Sequence, residues 1–173
     1  MDWKERLKKL IQKQIEKKSK KLFPLPTRIV ELMEKGISEK EFTSFAKILQ
    51  NFSVGFDILN NKKVITLIIK IFDEGKYTIT GGQGIIHLLS ALRNIYIHNT
   101  WSDEDILRKK LMAYIPIILR DSTIVDVVHR TLDLLLVIGN RDSYDILIDY
   151  ISKTREEMVL INSPTPLPIF MTP

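Results

Sequence analysis

The chain has 173 residues, 45% hydrophobic and 27% charged, with no cysteine and a formal net charge of +5 at pH 7. That length predicts one domain burying roughly two-thirds of its unfolded surface, and the composition excludes disordered, fibrous and low-complexity classes. The lack of cysteine excludes disulfide scaffolds, thiolate zinc sites and cysteine nucleophiles. The charge is uneven: residues 1–21 carry nine basic and three acidic side chains, whereas residues 22–173 lie within one charge of neutrality.

Apolar spacing is helical almost throughout. In the first segment Trp3, Leu7, Leu10, Ile11, Ile15 and Leu22 fall on one face and lysines on the other, so residues 1–23 read as a basic amphipathic helix. Pro24 and Pro26 end it, because residues before proline avoid the α region. A short helix follows over 27–35, with Gly36 as its terminal glycine. Ser38-Glu39-Lys40-Glu41 reads as a capping box opening a helix with Phe42, Phe45, Ile48, Leu49 and Phe52 inside. Asn60-Asn61 interrupts the pattern. The β-branched run over 62–74 is too long without turn chemistry to be a strand and predicts a buried helix. A glycine-rich loop at 80–84 leads into a helix over 85–98. Ser102-Asp103-Glu104-Asp105 caps another running to Arg120, with Pro116 inside and a kink expected there. The run 123–138 is closed by Gly139-Asn140, and Asp142 caps a last helix reaching Glu157. Eight or nine helices and no strand are expected. The first helix, with its lysine face, and the last, with Asp142, Asp145, Asp149, Lys153, Glu156 and Glu157, both read as polar end caps.

Three segments are self-similar: 47–52, 90–95 and 130–135, about 40 to 43 residues apart and each near the end of a helix preceded by another apolar helix. In this spacing the chain resembles the HEAT and armadillo repeat proteins over residues 28–157. Ala91-Leu92-Arg93-Asn94-Ile95 is similar to the third-helix motif of an armadillo unit. Ile115-Pro116-Ile117-Ile118-Leu119, with Asp121, Val127, Thr131, Leu134-Leu135 and Ile138-Gly139, is similar to a HEAT unit. Val128 departs from that pattern, standing where HEAT units usually carry arginine. The resemblance implies an all-α, short right-handed α-solenoid of about three repeats over 27–157, with an irregular helical bundle as the alternative.

No catalytic constellation stands out. His87 and His98 share one helix at about 16 Å, too far apart for a common metal. Ser90 lies one turn after His87, with no acid placed to orient the base. His129 has Asp126 and Asp133 at helical spacing, which suits a structural hydrogen bond. The glycine-rich loop lacks the lysine and hydroxyl of a phosphate-binding loop, and Asp103-Glu104-Asp105 suits the positive end of a helix dipole. No enzyme activity, metal or cofactor is expected.

Two outlying elements remain as candidate sites. Lys8, Lys9, Lys13, Lys17, Lys18, Lys20 and Lys21 form a polyanion-binding candidate, aided by Lys62, Lys63, Lys109 and Lys110. A membrane-surface role is less favoured, because Gln14 and Lys18 interrupt the apolar stripe. The Pro-rich tail over 158–173 is expected to be extended, with Leu167, Ile169 and Phe170 seeking a groove in cis or on a partner. The expected function is a non-catalytic protein–protein interaction or scaffold module. The alternative is a nucleic-acid-binding protein whose residues 1–21 contact phosphates. With no secretory signal and no apolar run of bilayer length, an intracellular protein is expected, cytoplasmic, or nuclear in a eukaryote.

Overall fold

The computed structural model describes residues 22–38, 41–76, 82–99 and 105–162, with side chains in the last stretch as far as Glu157. The basic segment over 1–21 and the tail over 163–173 lie outside the described residues.

The chain is all-α, as the apolar spacing requires. The described residues form seven helices: α1 (Thr27–Ser38), α2 (Phe42–Phe52), α3 (Lys62–Asp73), α4 (Gln83–His98), α5 (Ile106–Asp121), α6 (Val125–Ile138) and α7 (Arg141–Asn162). Beside them runs one isolated parallel bridge, Phe23 with Phe56. Its two hydrogen bonds, Phe23 N–H to the Gly55 carbonyl and Asp57 N–H to the Phe23 carbonyl, are each 2.9 Å. They root the segment before α1 beside the turn that follows α2.

Several helix ends differ from the sequence expectation, each for a local reason. The capping box at Ser38 does not form. Ser38 is the last residue of α1, and its hydroxyl donates back to the Glu34 carbonyl at 3.0 Å. The N-cap of α2 is Glu41, whose carboxylate accepts from Ser44 at 3.1 Å without capping the backbone. Gly36 does not end α1 either. It is helical and buried, and a Cβ there would sit 3.5 Å from the Phe45 backbone nitrogen. The helix continues through this position, which lies against Phe45 at ordinary contact distance, and makes no left-handed turn there. The last helix is capped by Asn140, which accepts from the Ser143 N–H at 2.9 Å, and Asp142 falls within its first turn. That helix also runs past Glu157, to Asn162.

Other ends follow the expected chemistry. Asn61 caps α3, accepting from the Val64 N–H at 3.2 Å, and Asp105 caps α5, accepting from the Leu107 N–H at 2.9 Å. Gly139 ends α6 in the left-handed conformation with φ 58°. Pro116 lies inside α5 on its exposed side, where water can reach the carbonyl that proline leaves without a donor.

The helices pack in two rows. In one, α1 lies against α3, α3 against α5 and α5 against α7; in the other, α2 lies against α4 and α4 against α6. The pairs α1–α2, α5–α6 and α6–α7 join the rows. Side-chain links show the spacing of the stack. In the second row His87 meets Gln50 and Asn94 meets Ser53, at sequence separations of 37 and 41. In the first row Lys110 and Tyr114 both reach Asp73, again at 37 and 41. Phe72 stacks on Tyr114 with ring centroids 5.4 Å apart. The step from α1 to α3 is shorter and is marked by the ion pair Lys63–Glu34 at 2.6 Å. One continuous core runs from Leu25 to Ile138, with Phe45, Phe72, Leu88, Leu92 and Leu107 among its fully buried side chains.

Candidate functional site

The three self-similar segments fall on α2, α4 and α6, the helices of the second row. Aligning them brings Gln50, Arg93 and Asp133 to equivalent positions, and all three are half-buried. One turn earlier the equivalent residues are Lys47, Ser90 and Arg130, the first and last exposed and Ser90 buried. Of the apolar positions between them, Leu49 and Leu92 are fully buried and Leu132 is half-buried. Half-buried polar residues of changing charge therefore form a line of equivalent positions along the three helices.

The α2–α4 part of this line is knit by hydrogen bonds. Nδ1–H of His87 donates to Gln50 Oε1 at 2.6 Å. Asn94 Nδ2 donates to Ser53 Oγ at 3.2 Å, and that hydroxyl donates to the Gln50 carbonyl at 2.7 Å. Burial lowers the His87 pKa below its ordinary value, and the nearby Lys47 charge lowers it further. The ring is thus held neutral in a polar but partly enclosed setting. On the same helix Arg93 has its Nε buried with no acceptor among the described residues, a donor whose burial costs free energy until an acceptor is found. This arrangement supplies oriented donors but no nucleophile–base pair.

A second polar cluster lies where α4 ends and α5 begins. Tyr96 donates its hydroxyl to Asp105 at 2.8 Å, while the other Asp105 oxygen caps α5. Burial raises the tyrosine pKa, the Asp105 charge adds to the rise, and Arg108 opposes it. The cluster joins the two helices and leaves Asp105 in a structural role, consistent with its placement at the dipole's positive end.

The sequence candidates distribute as follows. Lys8, Lys9, Lys13, Lys17, Lys18, Lys20 and Lys21 lie outside the described residues, as do Leu167, Ile169 and Phe170. Of the body lysines, Lys63 is paired with Glu34 and Lys110 with Asp73, while Lys62 and Lys109 are exposed. His129 is exposed, and among the described residues it makes no hydrogen bond to Asp126 or Asp133, so the structural contact expected there is not formed. Ser90 is buried, and His87 turns to Gln50 rather than to it. Gly82 opens α4 with φ 97°, Gln83 and Gly84 belong to that helix, and residues 80 and 81 of the glycine-rich loop lie outside the described residues. No group of three or more His, Asp or Glu side chains that could hold a metal occurs among the described residues. Nor is any described helix long and apolar enough to cross a membrane. Gln50, Arg93 and Asp133 share no residue type, and in the sequence only the register of the self-similar segments relates them.

Fold and site together define an all-α protein with a two-row helix stack and a polar line on one row. Comparison with protein-family models, with curated proteins and with solved structures returned no match.

Proposed function

We propose that this chain is a non-catalytic protein-interaction module, a short α-solenoid that holds a partner on the outer side of its α2–α4–α6 row. The observation that carries this reading is the half-buried set Gln50, Arg93 and Asp133, with the Arg93 Nε lacking an acceptor among the described residues. A stack of helix pairs offers an extended surface built from equivalent positions, which suits an elongated partner segment better than a small substrate. A main-chain carbonyl or carboxylate of such a segment would complete Arg93, and Lys47 and Arg130 would favour acidic neighbours. The two-row order and the recurrent separations of 37 and 41 residues support the solenoid reading over an irregular bundle.

The test is a pull-down of the full chain from native cells, compared with Arg93→Glu and Lys47→Glu forms. A specific protein retained by the parent chain and lost from the Arg93→Glu form is the expected outcome. Finding no specific protein, or one held equally by all three forms, sinks the reading.

The charge of residues 1–21 favours a second reading, nucleic-acid binding through Lys8, Lys9, Lys13, Lys17, Lys18, Lys20 and Lys21. It predicts a gel shift with DNA or RNA that weakens steeply with salt and vanishes when residues 1–21 are removed. Because Lys63 and Lys110 are already engaged, a shift that survives that deletion would contradict it.

A further inference from the structure

Helix α7 is incompletely covered. Its body-facing side consists of Ser143, Ile146, Leu147 and Tyr150, of which only Ser143 is fully buried. Beside that side runs a second apolar stripe, Tyr144, Ile148 and Ile151, exposed to 49%, 62% and 56%. Leu136 on α6 is 56% exposed as well. The hydroxyl of Tyr144 lies close to Gly139 at the end of α6, so the stripe begins where α6 stops. The expectation of a polar end cap therefore holds for only part of this helix, and an apolar face of this kind marks a contact surface.

We propose that the Pro-rich tail of the same chain turns back at Ser163-Pro164 and lies antiparallel along α7, with Leu167 over Ile151 and Phe170 over Tyr144. Length is the main argument. Along the helix Ile151 is about 17 Å and Tyr144 about 27 Å from Asn162, at 1.5 Å per residue. A tail in polyproline II geometry would put Leu167 about 16 Å and Phe170 about 25 Å from the same residue, at 3.1 Å per residue. The two pairs of spans match to about 2 Å, and a locally more extended chain, at up to about 3.3 Å per residue, helps to make the turn. Periodicity agrees: a polyproline II helix repeats every three residues, which puts Leu167 and Phe170 on one side together with Pro164. Prolines at 164, 166 and 168 reduce the ordering entropy that docking costs. The polyanion segment at the other end of the chain plays no part, and neither does the α2–α4–α6 line.

The absence of native cysteine permits a clean test in the full-length protein. Two double variants place matched pairs, Ile151→Cys with Leu167→Cys and Tyr144→Cys with Phe170→Cys. Two more cross them, Ile151→Cys with Phe170→Cys and Tyr144→Cys with Leu167→Cys. In dilute protein under mild oxidation, the matched pairs should close within one chain roughly ten-fold faster than the crossed pairs, because docking raises their effective concentration selectively. Equal rates for all four pairs, or no closure, overturn the proposal. Concentration-dependent links between two chains would overturn it in favour of a second copy as the occupant. Independently, Leu167→Asp with Phe170→Asp, which leaves the helical body unaltered, should raise amide exchange over 144–151 several-fold and leave α4 unchanged. Unchanged exchange in α7 counts against docking.

Discussion

His87 carries a ring whose charged form is disfavoured by partial burial and by the neighbouring Lys47, while its Nδ1–H is held by Gln50. Its folded pKa lies below its ordinary value, so the unfolded chain binds a proton more readily than the folded one. The stability this residue supports is therefore full above about pH 6.5 and is lost as pH falls through that value towards the folded pKa. Lys47→Ala should move the His87 pKa upward but not all the way to the ordinary value, because burial is the larger cause. An NMR titration of the ring checks this, and a fall or an unchanged value contradicts it. Asp73 shows the opposite balance: the Tyr114 hydroxyl and then Lys110 stabilise its carboxylate and lower its pKa. Such partners lie some 40 residues away in the chain, so the apolar pattern of either helix alone does not reveal them.

At the level of the helix, glycines divide into two kinds with opposite expected effects. Gly82 opens α4 with φ 97°, and a Cβ there would fall 2.5 Å from Ile124 Cδ1. Since the isoleucine tip can yield, backbone strain is the main cost, and Gly82→Ala should destabilise by about 1–2 kcal/mol. Gly36 is helical with ordinary contact distance around its missing Cβ, so Gly36→Ala should be neutral or stabilise by up to about 1 kcal/mol. Denaturant midpoints of the two variants should move in opposite directions, and a shared direction would refute the contrast. The same glycines show what the sequence does and does not disclose. Helical periodicity locates the bodies of all seven described helices, and the ends at Asp105 and Gly139 follow from local chemistry, while Asn61, read in the sequence only as a break, caps α3. At Gly36 the local signal misleads, because the helix continues under the approach of Phe45, a tertiary contact. At Ser38 the capping signal loses to a hydroxyl that bonds back within its own helix. The polar line on the second row was legible only as a register of repeats, since Gln50, Arg93 and Asp133 share a position but no chemical type.

For the molecule as a whole, stacking in two rows grades stability along the chain. The helix α4 has a neighbour on each side in its row and a buried stripe from Ile85 to Tyr96, whereas no apolar side chain described on α7 is fully buried. Amide exchange of the native protein should therefore be slowest in α4, intermediate in α2 and α6, and fastest among the helices in α7. Protection spread evenly over all seven helices would show instead a single all-or-none unit.

The recurrent separations of 37 and 41 residues also bear on how the protein reaches its fold. Each of these links closes a loop of similar length, whichever row it belongs to, and the Lys63–Glu34 link closes a shorter one. Loop-closure entropy grows only slowly with length, so no one of these steps costs much more than another. Contact order among the described residues is consequently set by contacts between helices that neighbour each other in a row. Folding can begin wherever two neighbouring units first meet, with the α2–α4 contact as the natural start, and proceed outward without waiting for the ends.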